Sequence, residues 1–153
     1  MKTLVVYYSR TGTTRKVAES ISKELKCDIE EVYDLKNRDG VVGYLSAGKD
    51  ATLKKLTEIK DVKNDPSKYD LVIMGTPIWS WTMSSAIRTY LTVNKNNFKN
   101  VAFFCTMNGS KGKTFEHMRE ICGKEPKALL GLTTKEVKGN YLFKVKEFVD
   151  KLK

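Results

Sequence analysis

The chain has 153 residues, with 28 lysines and arginines against 18 aspartates and glutamates, for a formal charge of +10 at pH 7. That length suits one domain, 1–153, with a core of ordinary size, and no apolar run reaches the roughly 18 residues of a membrane span. Met1-Lys2 leads straight into an apolar run, so no signal peptide is expected; Cys27, Cys105 and Cys122 are widely spaced, which argues against a disulfide framework or a zinc site and for a reducing cytoplasm.

Thr3-Leu4-Val5-Val6-Tyr7 is an apolar, β-branched and aromatic run that reads as a buried strand. Val17, Ala18, Ile21 and Leu25 follow at helical spacing and predict a first helix. Asp28 leads into a second strand over Ile29–Tyr33, and Asp39-Gly40 and Gly43 signal turns in the loop behind it. Ala51, Leu53 and Leu56 predict a second helix over roughly 47–59, and Asp65-Pro66 breaks the chain. Tyr69–Gly75 predicts a third strand, covered on both faces because its apolar run does not alternate. Met83, Ala86, Ile87, Tyr90 and Leu91 mark a third helix, Val101–Cys105 a fourth strand, and Phe115, Met118 and Cys122 a fourth helix. Ala128–Leu132 reads as a fifth strand, and Tyr141, Leu142, Val145, Val149 and Leu152 as one closing helix. Alternation of this kind predicts a parallel sheet between two helical layers, with any ligand outside the carboxyl ends of the strands at the switch in strand order.

Three loops leave those ends. Ser9-Arg10-Thr11-Gly12-Thr13-Thr14 carries four hydroxyls in six residues, between a strand and the start of a helix. The first amides of a helix lack intrahelical partners and carry partial positive charge, so this turn predicts a phosphate socket. Plain capping by one threonine is the alternative. Thr76-Pro77-Ile78-Trp79-Ser80-Trp81 places two indoles in one turn, where a flat ligand would use them; Trp79, nearer the middle, is the first candidate and Trp81 the second. Thr106-Met107-Asn108-Gly109-Ser110 offers an amide side chain and free backbone groups for ring carbonyls, with the Met107 thioether able to cover an aromatic face.

The spacing S-x-T-G-x-T at Ser9, Thr11, Gly12 and Thr14 resembles the phosphate loop of flavodoxins, and the other two loops resemble that family's flavin loops. Gly43-Tyr44-Leu45 and Ala47-Gly48 extend the likeness along the chain, and the uninterrupted fifth strand is similar to the short-chain type. The resemblance implies a flavodoxin-like three-layer sandwich with a five-stranded parallel sheet in the order 2-1-3-4-5. It also implies FMN held by Ser9–Thr14, Thr76–Ser80 and Thr106–Gly109. The work implied is low-potential electron transfer between redox partners. An FMN-dependent NAD(P)H-quinone reductase or a protoporphyrinogen-oxidase-like enzyme of the same fold is the alternative. The third loop lacks the second aromatic common in the family.

Other classes fit less well. Gly109-Ser110-Lys111-Gly112-Lys113-Thr114 lacks the first glycine of a nucleotide P-loop, because Met107 occupies that position. A receiver domain needs aspartates where Ser9 and Thr76 stand, and a low-molecular-weight phosphatase needs a cysteine after the first strand. His117, the only histidine, has no assignable partner and reads as structural. The lysines are scattered rather than clustered with aromatics, so specific nucleic-acid binding is not expected. Redox partners with acidic docking surfaces suit the charge.

Overall fold

Residues 1–153 are described by a computed structural model. The strands are β1 (Thr3–Tyr7), β2 (Asp28–Glu31), β3 (Leu71–Trp79), β5 (Val101–Met107) and β6 (Leu129–Thr133), with a two-residue β4 (Thr82–Met83) between β3 and β5. The helices are α1 (Thr13–Leu25), α2 (Gly40–Thr52), α3 (Ser85–Asn94), α4 (Thr114–Cys122), α5 (Thr134–Lys138) and α6 (Leu142–Asp150). The main sheet runs β2-β1-β3-β5-β6 and is parallel throughout; β4 pairs antiparallel with the end of β3. Without β4, this is the expected order 2-1-3-4-5. The chain leaves β1 toward β2 on one side and later returns to β3 on the other, so the switch point lies between β1 and β3.

Both faces of the sheet's centre are buried, which is why β1, β3 and β5 read as continuous apolar runs, whereas the edge strand β2, Asp-Ile-Glu-Glu, is exposed or half-buried. Leu4, Val6, Val72, Met74 and Phe103 enter a core of 22 buried residues shared with α3 and α4. Val5, Tyr7, Ile73 and Phe104 enter a second core of 18, shared with α1 and α6.

Three elements differ from the sequence expectation. The second helix begins at Gly40 and ends at Thr52, not over 47–59. Its buried face is Gly43, Ala47, Asp50 and Ala51, small residues that leave no apolar stripe, while Leu53 and Leu56 lie outside the helix and are exposed. The expected loop Thr76–Trp81 is largely strand: β3 runs on to Trp79, and Ser80-Trp81 form the tip of a hairpin to β4, with φ of 47° and 60°. The expected closing helix is preceded by α5, opened by a capping box between Thr133 and Glu136.

A buried ion cluster anchors α2. Arg38 is 3 % exposed; its Nε donates to Asp34 at 3.0 Å and its Nη1 to Asp50 at 2.7 Å, and Lys36 donates to Asp50 at 2.8 Å. Burial pushes the Asp50 carboxyl up, but Lys36 and Arg38 outweigh it and hold the group below the usual carboxylate range. A depressed folded pKa stabilises the fold fully above the ordinary carboxylate pKa, and that stability is lost as pH falls through the lower folded value. The α2 region is therefore expected to loosen below about pH 4. Circular dichroism during acid titration should show the transition, and Asp50→Asn should flatten it; an unchanged acid profile in the variant would remove Asp50 as its cause.

Candidate functional site

The crossing from β1 to α1 is built around Gly12, which sits at the helix N-cap with φ 98° and open space where a Cβ would stand. No side chain caps α1. The capping alternative therefore has no counterpart, and the first-turn amides of Thr13, Thr14 and Arg15 open the helix without an intrahelical carbonyl. Ser9 Oγ accepts from the Gly12 amide at 3.0 Å, which folds the turn and leaves the Ser9 proton free to donate. Thr11 is exposed and Thr13 half-buried, so both hydroxyls stand at the rim. Thr14 is buried, with its hydroxyl 2.8 Å from that of Thr106 on β5. That bond uses one of two hydroxyl protons, so the pair retains a donor and ties the first loop to the third.

These two loops enclose a cleft of about 130 Å³ lined by Arg10, Thr11, Thr13, Thr14, Tyr44, Pro77, Ile78, Trp79, Thr106, Met107, Asn108 and Thr134. A cavity of about 330 Å³ adjoins it between α2 and the hairpin, and Tyr44, Ile78 and Trp79 line both. Trp79 is 7 % exposed, meets Tyr8 edge-on at 5.3 Å, and lies 5.5 Å below the Arg38 guanidinium. Trp81, at the hairpin tip, is 69 % exposed and lines neither.

The expected residues are not all at the cleft. Thr76 is fully buried: its hydroxyl accepts from the Ser84 amide and donates to the Pro77 carbonyl, which knits β3 to the start of α3. Ser80 faces the adjoining cavity and donates to the Gly48 carbonyl at 2.9 Å, latching the hairpin to α2. Gly109 is exposed and lines neither cavity. Met107 reaches the cleft, yet its Cε lies 3.1 Å from where a Cβ of Gly131 on β6 would be. Asn108 accepts from the Thr134 hydroxyl at 2.7 Å, which orients its amide and leaves Nδ2 as a donor.

Tyr44 and Thr134 line the cleft and were not foreseen there. Gly43-Tyr44-Leu45 was visible in the sequence, but placing the helix too late hid that Tyr44 projects from its first turns. The Arg10 guanidinium lies 5.5 Å from the Tyr44 ring and donates to the Arg38 carbonyl at 3.4 Å.

The lining contains no Asp, Glu, His or Cys. Burial pushes the nearby Tyr8 phenol up to about 12, aided by the Asp34 charge, and burial also raises the Cys105 thiol to about 12. Neither is a base or nucleophile at neutral pH. No group of three or more acidic, histidine or cysteine side chains is placed to hold a metal ion. What the arrangement can do is receive an anion at the α1 N-terminus and a flat, partly apolar body beside Trp79 and Tyr44.

A doubly wound sheet in this order, with such a cleft at its switch point, defines a flavodoxin-like α/β protein. The chain belongs to the flavodoxin family, whose model matches residues 2–145. It is similar to a flavoprotein from Lactobacillus acidophilus NCFM solved in complex with FMN, at 32 % identity and a TM-score of 0.71 over 90 % of this chain and 96 % of that one. Structures from Bacteroides eggerthii DSM 20697 (23 % identity, TM-score 0.73, 95 % of this chain and 98 % of that one) and Bacteroides uniformis ATCC 8492 (20 %, 0.75, 97 % and 97 %) share the fold. No curated protein matches the chain. No helix is long and apolar enough to cross a membrane.

Proposed function

We propose that this protein binds FMN in the cleft and carries electrons at low potential between redox proteins. The observation behind the reading is the uncapped start of α1, ringed by hydroxyls and opening into an aromatic-walled cleft without an acid or base. The residues fit the cofactor. The amides of Thr13 and Thr14, with the hydroxyls of Ser9, Thr11, Thr13 and Thr14, supply donors for a phosphate, and Arg10 supplies charge beside it. Trp79 and Tyr44 offer aromatic surface for a flat ring, and Asn108 Nδ2 a donor for ring carbonyls. Bound FMN supplies electron transfer by changing redox state, while the chain sets its exposure and surroundings. The three free cysteines fit a reducing cytoplasm, and we read 1–153 as a single domain.

The Thr11→Ala/Thr14→Ala double variant is expected to bind FMN at least about tenfold more weakly, since each lost bond to a charged group is worth about 1.5–3 kcal/mol. Flavin titration checks this, with melting of the flavin-free protein as the control for folding. Undiminished affinity in a folded double variant would remove the phosphate assignment.

A second reading has one specific observation in its favour. The cavity between α2 and the hairpin, with Leu45, Ile78 and Trp79 in its wall, leaves room beside the cleft for a second flat reactant. An NAD(P)H-dependent quinone reductase or a protoporphyrinogen-oxidase-like enzyme would use such a space. The two readings separate when NADH or NADPH alone is added. An enzyme bleaches its flavin at a catalytic rate, whereas a carrier stays oxidised until a reduced protein partner arrives.

A further inference from the structure

A guanidinium in α3 is buried without a counter-ion. Arg88 is 6 % exposed, and burial lowers its pKa with no carboxylate opposing the shift. Its Nη2 donates to the Thr82 hydroxyl at 3.2 Å, and its Nε is buried with no partner. The contrast with Arg38, which holds two aspartates, is direct. A buried charge without a partner is costly, so a site of this kind is incomplete until an anion reaches it.

The surroundings are cationic. Thr82 Oγ1 also lies 2.7 Å from Nδ1 of His117. Burial lowers the His117 pKa, Lys54 after α2 and Arg88 lower it further, and Glu116 and Glu120 on its own helix oppose them. Thr82 pairs with Trp79 at the root of the hairpin whose tip exposes Trp81. The Lys113 amide donates to the Trp81 carbonyl at 3.2 Å, and the exposed Lys111 and Lys113 stand in the loop that makes this contact. The exposed Trp81 is thus next in the chain to the hydroxyl that Arg88 reaches, and its backbone is bonded to the Lys111–Lys113 loop, in a chain with a net charge of +10. Tryptophan and arginine are the residue types that most often dominate the energy of protein interfaces.

We propose that this patch is the docking site for an acidic protein partner, with a partner carboxylate received by Arg88 and an apolar partner surface covering Trp81. The proposal rests on the electron-carrier reading and locates the partner on the molecule. A carboxylate here favours protonated His117, so docking tightens as pH falls through the histidine range.

The probe is a short polyglutamate peptide containing one leucine, with inorganic phosphate as the small-anion comparison, titrated into the full chain as purified. Binding is read by calorimetry, and the His117 pKa by proton NMR. The peptide is expected to raise the His117 pKa and to bind about tenfold more weakly to both Arg88→Gln and Trp81→Ser. Lys23→Gln, which removes one exposed charge from α1, should leave affinity within about twofold. Equal losses in Arg88→Gln and Lys23→Gln would overturn the site in favour of diffuse attraction. Phosphate binding as tightly as the peptide, with Trp81→Ser unaffected, would overturn the protein partner in favour of a small-anion site. Should Arg88→Gln fail to fold, Arg88→Lys and Trp81→Ser carry the same comparison. The readout involves no electron transfer, so a flavin bleached catalytically by NADPH would refute the carrier while leaving the peptide result to stand or fall on its own.

Discussion

Gly43→Ala is expected to destabilise the protein by about 3 kcal/mol, at the upper end of the usual range for overpacking, and to weaken flavin binding with it. A Cβ at position 43 would lie 2.1 Å from the Arg38 carbonyl carbon and 2.2 Å from its oxygen. Both are backbone atoms, so no side-chain rotation relieves the clash. The start of α2 must lift, which stretches the Arg38 bonds to Asp34 and Asp50 and carries Tyr44 away from the cleft. Gly48→Ala on the same helix is the internal comparison. Its Cβ would meet only the Ser80 hydroxyl at 3.2 Å, a side chain able to give way, and alanine gains about 1 kcal/mol in helix propensity. Thermal unfolding and flavin titration of the two variants check the contrast. If both behave alike, the close approach at Gly43 does not set the position of α2.

Trp79→Ala is expected to cost about 3–5 kcal/mol of stability, as large aromatic truncations in cores do, and to remove most of the quenching of indole fluorescence on flavin binding. Trp79 packs edge-on against Tyr8, lies under the Arg38 guanidinium, and walls both cavities. Trp79→Phe keeps an aromatic face and should restore most of the stability and affinity. Trp81→Ala removes an exposed side chain and should change stability by less than about 0.5 kcal/mol. The fluorescence of the Trp81→Ala protein, whose only indole is Trp79, gives the decisive reading: retained quenching places the flavin beside Trp79, and lost quenching moves the contact to Trp81.

The inner strands were legible because burial on both faces writes β1, β3 and β5 as unbroken apolar runs, and the order followed from the alternation of strands and helices with the family resemblance. The place of the first loop, between β1 and the start of α1, was equally legible from a hydroxyl-rich turn set between an apolar run and a helical stripe. The second helix was not. Its contact face is Gly43, Ala47 and Ala51, which pack by being small, while Val41 and Val42 are exposed and the leucines that suggest a later helix, Leu53 and Leu56, lie beyond its end. The misplacement concealed Tyr44 at the cleft. Thr76 misled for a related reason: a hydroxyl beside a cleft looks like a donor to a ligand, and nothing in one dimension reveals that Ser84 and Pro77 already engage it. Arg88 and His117 lie far apart in the chain, and only the short β4 strand brings them to one hydroxyl.

The hairpin tip sets folding against recognition at two neighbouring positions. Ser80 and Trp81 both hold left-handed backbone angles that Asn-Gly would adopt with less strain. An Asn-Gly tip would lose the Ser80 bond to Gly48 and the exposed indole, yet relax the backbone. Laboratory evolution for heat resistance alone should therefore drift toward Asn-Gly here, whereas selection for the proposed docking of an acidic partner should keep the tryptophan. The divergence of two such lineages at a single turn would measure how much stability this protein forgoes to keep an aromatic side chain in water.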